Sequence, residues 1–466
     1  MRRRLLGFSG LLLAAGLLAA CSSQPAGQGA QPGVNVQGTL TDPCGQPIAY
    51  TTVYVPGHAP TLTDAQGHFA ISNVQTPYDL VIEGVTLVRM GYADANLLVF
   101  RGLTKAQLSI AAWHPGQKYC SGRSVIAGTL TSDRGSGPHY GVAAMAAGFV
   151  AAQTRDFSDN PDSYSLTLHY PAGTSQATLF AAEWEGNRKK ASSFLGYQAY
   201  AVTLDDNVDQ DITFDESNLT TGTLEVTLQA PPVYTLESLE HSLAYQGQDT
   251  GLVTHSVYYY HDQTTPSFPE EVKTLVAPDV SAMLKATASY GRGGYKGLGT
   301  GAPVPTGIQD VGGEATVWKR VASDAGSATL SFPDPVIPLV PLSGAQIDPK
   351  ATFRWQGPEG AVNLVWFYLE NDWSDLLVQV VTAGHELSLP SFPDLGVGAQ
   401  GYARGVWWVL GFGLPGISDA DGLADRSAEI AKFYKPTSIV GDEGYLVFSR
   451  NGYFLLPGAS AGGGRP

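Results

Sequence analysis

The stretch Tyr164-Ser165-Leu166-Thr167-Leu168-His169-Tyr170 sets a large apolar side chain at every second position with a polar one between. Period two marks a strand with one face in a core and one in water, because successive side chains leave a pleated backbone on opposite sides. The same alternation recurs at Tyr78, Leu80 and Ile82, at Leu224, Val226 and Leu228, and at Ala328, Leu330 and Phe332. Helical spacing shows only at Leu236, Leu239 and Leu243 and again over Glu270 to Val276, with prolines nearby, and predicts two short loop helices. With 55 Gly, 30 Pro and 15% charged residues, the chain predicts many short strands joined by turns: an all-β fold of tandem β-sandwich domains.

A length of 466 residues implies three or four domains. The string Gly-Thr-Leu recurs at 38–40, 128–130 and 222–224, at offsets of 90 and 94 residues that match one sandwich per step. Modules are therefore expected at 34–118, 119–216 and 217–334. The proline-rich stretch 333–341 predicts a stiff linker into a fourth module, 335–457, and 458–466 a disordered tail.

At the other end, Arg2, Arg3 and Arg4 precede an apolar run, Leu5 to Ala20, that closes on Leu18-Ala19-Ala20-Cys21. A basic start, an apolar stretch too short for a permanent span and small residues at its end predict a signal peptide over 1–20. The four-residue ending resembles the cleavage box of bacterial lipoproteins, which implies a lipid on Cys21; an ordinary signal peptide with a chance cysteine is the alternative. Residues 21–33 form a flexible tether, with no large apolar side chain from Ser22 on. An acylated cysteine holds a domain on a membrane without a spanning helix, so the expected place is the cell envelope, periplasmic or surface-exposed.

Loss of Arg2–Arg4 and of no acid takes the net charge from −15 to −18. That balance argues against nucleic acid or anionic headgroups as partners. Once Cys21 carries lipid, Cys44 and Cys120 remain in an oxidising compartment, and a disulfide between them is the natural pairing. Two buried free thiols are the alternative; their wide separation and lack of CxxC spacing do not suit zinc.

Gly38, Gly45, Pro47, Val53, Val55, Thr63, Asp64, Gly67, Phe69, Ile71, Val74, Tyr78 and Leu80 follow a pattern that resembles carboxypeptidase regulatory-like domains. Asp64-Ala65-Gln66-Gly67 reads as a turn on its own chemistry, Asp64 capping it and Gly67 free to take positive φ. The resemblance implies a transthyretin-like sandwich acting as a spacer or binding module. The last module is similar, more loosely, to fibronectin type III domains: Pro341 to Gly344 opens it, Ala351, Phe353 and Trp355 share one strand face, and Val365 to Leu369 forms the next strand. Five of the eight tryptophans lie between Trp355 and Trp408, as a sandwich core or as a sugar-stacking face, with the core favoured.

Catalytic patterns fail. No histidine has a glutamate three positions on, and His385-Glu386 has no second histidine to complete H-E-x-x-H. The one G-x-S-x-G string, Gly458 to Gly462, sits in the tail. Gly291 to Gly301 lacks the spacing and the Lys-Ser/Thr ending of a phosphate loop and reads as an inter-strand loop. Asp419, Asp421 and Asp425, around Gly422, have a calcium-like spacing, or form a plain acidic turn; Ile417 and Ala428 break the full EF-hand pattern. His255 and His261 share a strand face about 20 Å apart, too far to hold one metal together. The sequence thus predicts a non-enzymatic, membrane-anchored envelope lipoprotein without a cofactor, serving as scaffold or adhesion module toward an envelope protein or polysaccharide. A carbohydrate-binding surface lipoprotein is the second reading, an enzyme with an unrecognised site the third.

Overall fold

The computed structural model describes residues 33–88, 93–114, 117, 119–134, 138–156, 161–214, 220–231, 234–245, 252–263, 267–277, 280–295, 312–371, 373–389, 391–392, 402–431 and 441–457. Residues 1–32, Cys21 among them, and 458–466 lie outside them.

Strands β1 (Val34–Thr41), β2 (Thr52–Tyr54), β3 (Thr61–Leu62), β4 (His68–Val74), β5 (Tyr78–Glu83), β6 (Ala95–Leu103) and β7 (Gln107–Ala111) make two facing sheets. One has the order β4-β1-β7, with β1 antiparallel to β4 and parallel to β7; the other runs β3-β2-β5-β6, all antiparallel. Phe69 and Ile71 of β4 point into a core with Leu40, Leu80 and Phe100. The turn before β4 forms as the sequence predicts: Asp64 Oδ1 accepts from the N–H of Gln66 at 2.9 Å and of His68 at 2.8 Å, and Gly67 takes φ +78°.

The same connectivity returns twice. In β8 (Gly122–Thr131), β9 (His139–Ala146), β10 (Phe149–Asp156), β11 (Asp162–Tyr170), β12 (Gln176–Asn187), β13 (Lys190–Thr203), β14 (Asn207–Asp209) and β15 (Ile212–Thr213), β8 lies antiparallel to β11 and parallel to β14 and β15. Facing it is β10-β9-β12-β13. The alternating stretch of β11 buries Tyr164, Leu166, Leu168 and Tyr170, as its period requires. In β16 (Thr220–Gln229), β17 (Tyr234–Tyr245), β18 (Leu252–Gln263), β19 (Ser267–Val276), β20 (Ser281–Tyr295), β21 (Gly313–Ala322) and β22 (Ser327–Ser331), the sheets are β19-β16-β22 and β18-β17-β20-β21.

Each Gly-Thr-Leu string falls in a strand paired on both sides: β1, β8 and β16. Its leucine, Leu40, Leu130 or Leu224, is fully buried, worth about 2 kcal/mol each. Its glycine leaves room for a neighbour: a Cβ at Gly38 would stand 2.3 Å from the Phe69 ring, and one at Gly128 2.1 Å from the Gln210 carbonyl oxygen.

The two expected loop helices are strands. Leu236, Leu239 and Leu243 lie in β17, and Glu270 to Val276 in β19. The three leucines match helical spacing by coincidence, whereas Leu239, His241, Leu243 and Tyr245 alternate with outward residues and are all buried, which is the pattern the sheet obeys.

The last group comprises β23 (Ile337–Val340), β24 (Ala345–Gln346), β25 (Thr352–Gln356), β26 (Val362–Glu370), β27 (Asp375–Thr382), β28 (Glu386–Ser388), β29 (Arg404–Gly413), the short helices α1 (Ala420–Asp425) and α2 (Ser427–Ala431), β30 (Glu443–Ser449) and β31 (Gly452–Leu455). Ile337–Val340, expected in a linker, is an edge strand paired with β25, a position that tolerates Pro338 because an outward-facing edge needs no N–H there. The small sheet is β23-β25-β28, and β26 lies between β27 and β29 in the other.

The larger sheets of all four groups join edge to edge. β6 runs parallel to β27, from Ala95 opposite Leu376 to Phe100 opposite Val381. β21 pairs antiparallel with β30 along Gly313 to Lys319, and β13 meets β18 where Lys190 faces His255. One continuous path results: β3-β2-β5-β6-β27-β26-β29-β30-β21-β20-β17-β18-β13-β12-β9-β10. Among the described residues its end strands β3 and β10 pair on one side only, so the sheet is open and no barrel forms. Along this sheet the groups follow one another as first, fourth, third, second.

Side chains seal the junction between the first and fourth. Gln379 of β27 is fully buried; its Oε1 accepts from the Leu87 N–H at 2.7 Å and its Nε2 donates to the Val88 carbonyl at 2.8 Å. Ser427 Oγ accepts from the Ala111 N–H at 2.8 Å, and Trp113 Nε1–H donates to the Ala431 carbonyl. A disulfide with Cα atoms 5.5 Å apart ties Cys44 of the first group to Cys120, just before β8 of the second. Such a bond belongs to an extracytoplasmic protein. Among the described residues no helix is long and apolar enough to cross a membrane.

Candidate functional site

Within the third sandwich three ionisable side chains meet in a largely apolar core. Leu243 of β17 stands opposite His255 of β18, and His241 opposite Val257, so both imidazoles leave the sheet on the core side. Their rings stack with centroids 4.9 Å apart and an interplanar angle of 27°. Glu270 reaches them from the facing sheet, on the same side of β19 as the buried Val272 and Thr274. His241 Nε2 is hydrogen-bonded to Glu270 Oε2, the imidazole donating to the carboxylate. His255 Nε2 stands 3.7 Å from Glu270 Oε1, beyond hydrogen-bond reach. Lys190, from the neighbouring β13, brings Nζ to 3.3 Å of the same oxygen.

Burial governs the charge state of the pair. Removal from water lowers the His241 pKa, although the Glu270 carboxylate pulls it the other way. It lowers that of His255 from the ordinary 6.5 to about 4, with the adjacent His241 adding to the effect. Both rings are therefore neutral at pH 7, the form in which an imidazole nitrogen offers a lone pair. Two nitrogens and one oxygen, all within 4.8 Å of one another, make a mixed donor set of the kind that binds transition metals and zinc.

Of the three, only His255 stands out in the sequence. His241 sits among leucines with accidental helical spacing, and Glu270 comes from a third strand, so non-local pairing alone brings the trio together. The alternation Leu239-His241-Leu243-Tyr245 is the signal that could have found it. His261 and Asp262 have side chains outside the described residues; Tyr258 is on the opposite face from His255 and half exposed.

The acidic trio does not converge on one point. Asp419 caps α1, its Oδ1 accepting from the Gly422 N–H at 2.8 Å. Asp421 is buried and accepts from the Thr104 backbone N–H at 3.0 Å and from its hydroxyl at 2.6 Å, while Asp425 pairs with Lys105. In place of a calcium loop, these carboxylates dock α1 onto the end of β6 and the residues after it. Gly291 to Tyr295 continue β20, and 296–301 lie outside the described residues. Of the crowded tryptophans, Trp355, Trp366 and Trp407 are buried in the core, Trp408 stacks on Trp366 at 5.6 Å, and Trp373 is 92% exposed. On the solvent face of β17, β20 and β21, a groove of about 300 Å³ is lined by Glu240, Tyr258, Lys285 and Glu314 among others. Burial raises the Glu314 pKa there, and Lys285 opposes the rise.

No known family profile matches the chain, and no curated protein matches it. Among solved structures, a leucine-rich repeat protein from Bacteroides thetaiotaomicron is 12% identical over 46% of this chain and 27% of its own, with a TM-score of 0.17. The chain thus spans about a quarter of that protein's length. The shaft pilin spaA from Lactobacillus rhamnosus GG is 13% identical over 45% of this chain and 97% of its own, at 0.12. A streptococcal ancillary pilin is 8% identical over 64% and 98%, at 0.14. At TM-scores this low no common arrangement follows.

Proposed function

We propose that the chain is a non-catalytic lipoprotein of the cell envelope, anchored through Cys21 and acting as a stiff scaffold or adhesion module. The observation that carries this reading is the continuous sheet. Tandem domains on flexible linkers reorient freely, whereas strands paired across three junctions, with a disulfide at a fourth contact, hold four sandwiches in one fixed order. Such a body suits presenting a surface of fixed geometry. In this reading the first sandwich is a carboxypeptidase regulatory-like spacer and the last a fibronectin type III-like end piece. The leader, the tether composition and the disulfide support export and anchoring.

Labelling cells with a palmitate analogue tests the anchor. The wild-type chain takes up label and sediments with membranes, and Cys21→Ser does neither; a soluble, unlabelled wild type contradicts the proposal. Retention of residues 22–466 on detergent-extracted envelope protein then tests the scaffold role. The carbohydrate reading has one observation in its favour, the half-exposed Tyr258 beside the polar groove on the sheet's solvent face. Retention on envelope polysaccharide that is lost in Tyr258→Ala would bring it forward.

A further inference from the structure

We infer that His241, His255 and Glu270 form a binding site for a divalent transition metal, zinc foremost, inside the third sandwich. Core-facing positions of a sandwich are ordinarily apolar, and burying ionisable groups costs free energy unless each is paired. Here the pairing is incomplete: His255 Nε2 is buried without a hydrogen-bond partner and points to the Glu270 carboxylate from 3.7 Å. A cation between these atoms removes that deficit. Neutral imidazoles are the form in which histidine binds a metal, and a carboxylate oxygen supplies the third donor.

The geometry is close to a shell. Metal–donor distances near 2.1 Å place tetrahedral ligand atoms about 3.4 Å apart. The three donor atoms lie within 4.8 Å of one another, on strands from both sheets, so side-chain shifts of about 1 Å bring them onto one ion. The hydrogen bond from His241 to Glu270 opens in that step, the ring proton of His241 passing from Nε2 to Nδ1 so that Nε2 offers its lone pair, and the half-exposed Lys190 turns outward to water. Glu270 is 15% exposed at the sandwich edge, which leaves a path for the ion and a fourth position for water. Two of the donor strands also flank the junction with the second sandwich, so an ion here ties β18 to β19 beside the β13 contact. The role is structural, and it lies outside the anchoring and presentation proposed above.

The test uses the full chain without a histidine tag, stripped with a chelator and dialysed against Zn²⁺. Elemental analysis is expected to return one zinc per chain, and His255→Gln and Glu270→Gln to weaken binding by at least the roughly tenfold that loss of a mere outer-shell partner costs. Saturating zinc raises the wild-type melting temperature by about 4 °C or more, and raises each variant's by less. Zinc bound equally by folded variants, or no zinc retained by the wild type, overturns the site. Should both variants fail to fold, nitrogen NMR of ¹⁵N-histidine-labelled wild type decides: zinc must move two buried imidazoles together, and movement of exposed histidines alone is a contradiction.

Discussion

Gln379 holds the first and fourth sandwiches together more than its size suggests, since one buried amide satisfies the Leu87 N–H and the Val88 carbonyl. Truncation in Gln379→Ala strands both backbone groups away from water, and an unfolding midpoint in urea is expected to report a loss of about 2–3 kcal/mol. His255 sets a pH dependence. Its pKa in the folded chain, about 4, lies below the ordinary 6.5, so the unfolded chain takes up the proton first. Stability from this group is complete above pH 6.5 and is lost as pH falls toward 4. Urea titrations at steps between these values are expected to fall in midpoint, and His255→Leu to flatten the slope. At this scale the sequence is legible where chemistry is local. The Asp64–Gly67 turn carries its own acceptor and its own permissive glycine. The His241–His255–Glu270 cluster is illegible for the opposite reason: three strands that meet only through non-local pairing supply it.

Strands are readable wherever one face meets water, because alternation survives there; β11 is the clearest case. Where leucines happen to fall three and four apart in β17, the helical period masks the alternation that is also present. The prolines around Ile337–Val340 suggest a linker, yet an edge strand accepts them. The repeated Gly-Thr-Leu marks the central strand of three sandwiches of one connectivity, and its glycine has a steric reason. In Gly128→Val the new Cβ meets a backbone oxygen at 2.1 Å that cannot move aside, so a loss of about 2 kcal/mol or more is expected by thermal or urea unfolding. Gly326, where an added methyl would meet nothing within 4 Å, is the control, and Gly326→Ala is expected to stay within about 0.5 kcal/mol of wild type.

The order of the whole molecule, first, fourth, third and second, has no trace in composition or period, because edge-to-edge pairing uses backbone groups that every sequence carries. The Cys44–Cys120 bond spans 76 residues and constrains the link between the first two sandwiches. Its reduction is expected to cost about 4 kcal/mol in the chain-entropy model, seen as a lower melting temperature with reductant. Hydrogen–deuterium exchange tests the continuous sheet most directly. Amides of β6 and β27 over Leu97 to Phe100 and Val378 to Val381 that do not bond to β5 or β26 should exchange as slowly as those of the interior strand β12. Exchange at the rate of a solvent-facing edge strand would mean that the sandwiches stand apart, and would contradict the single rigid body.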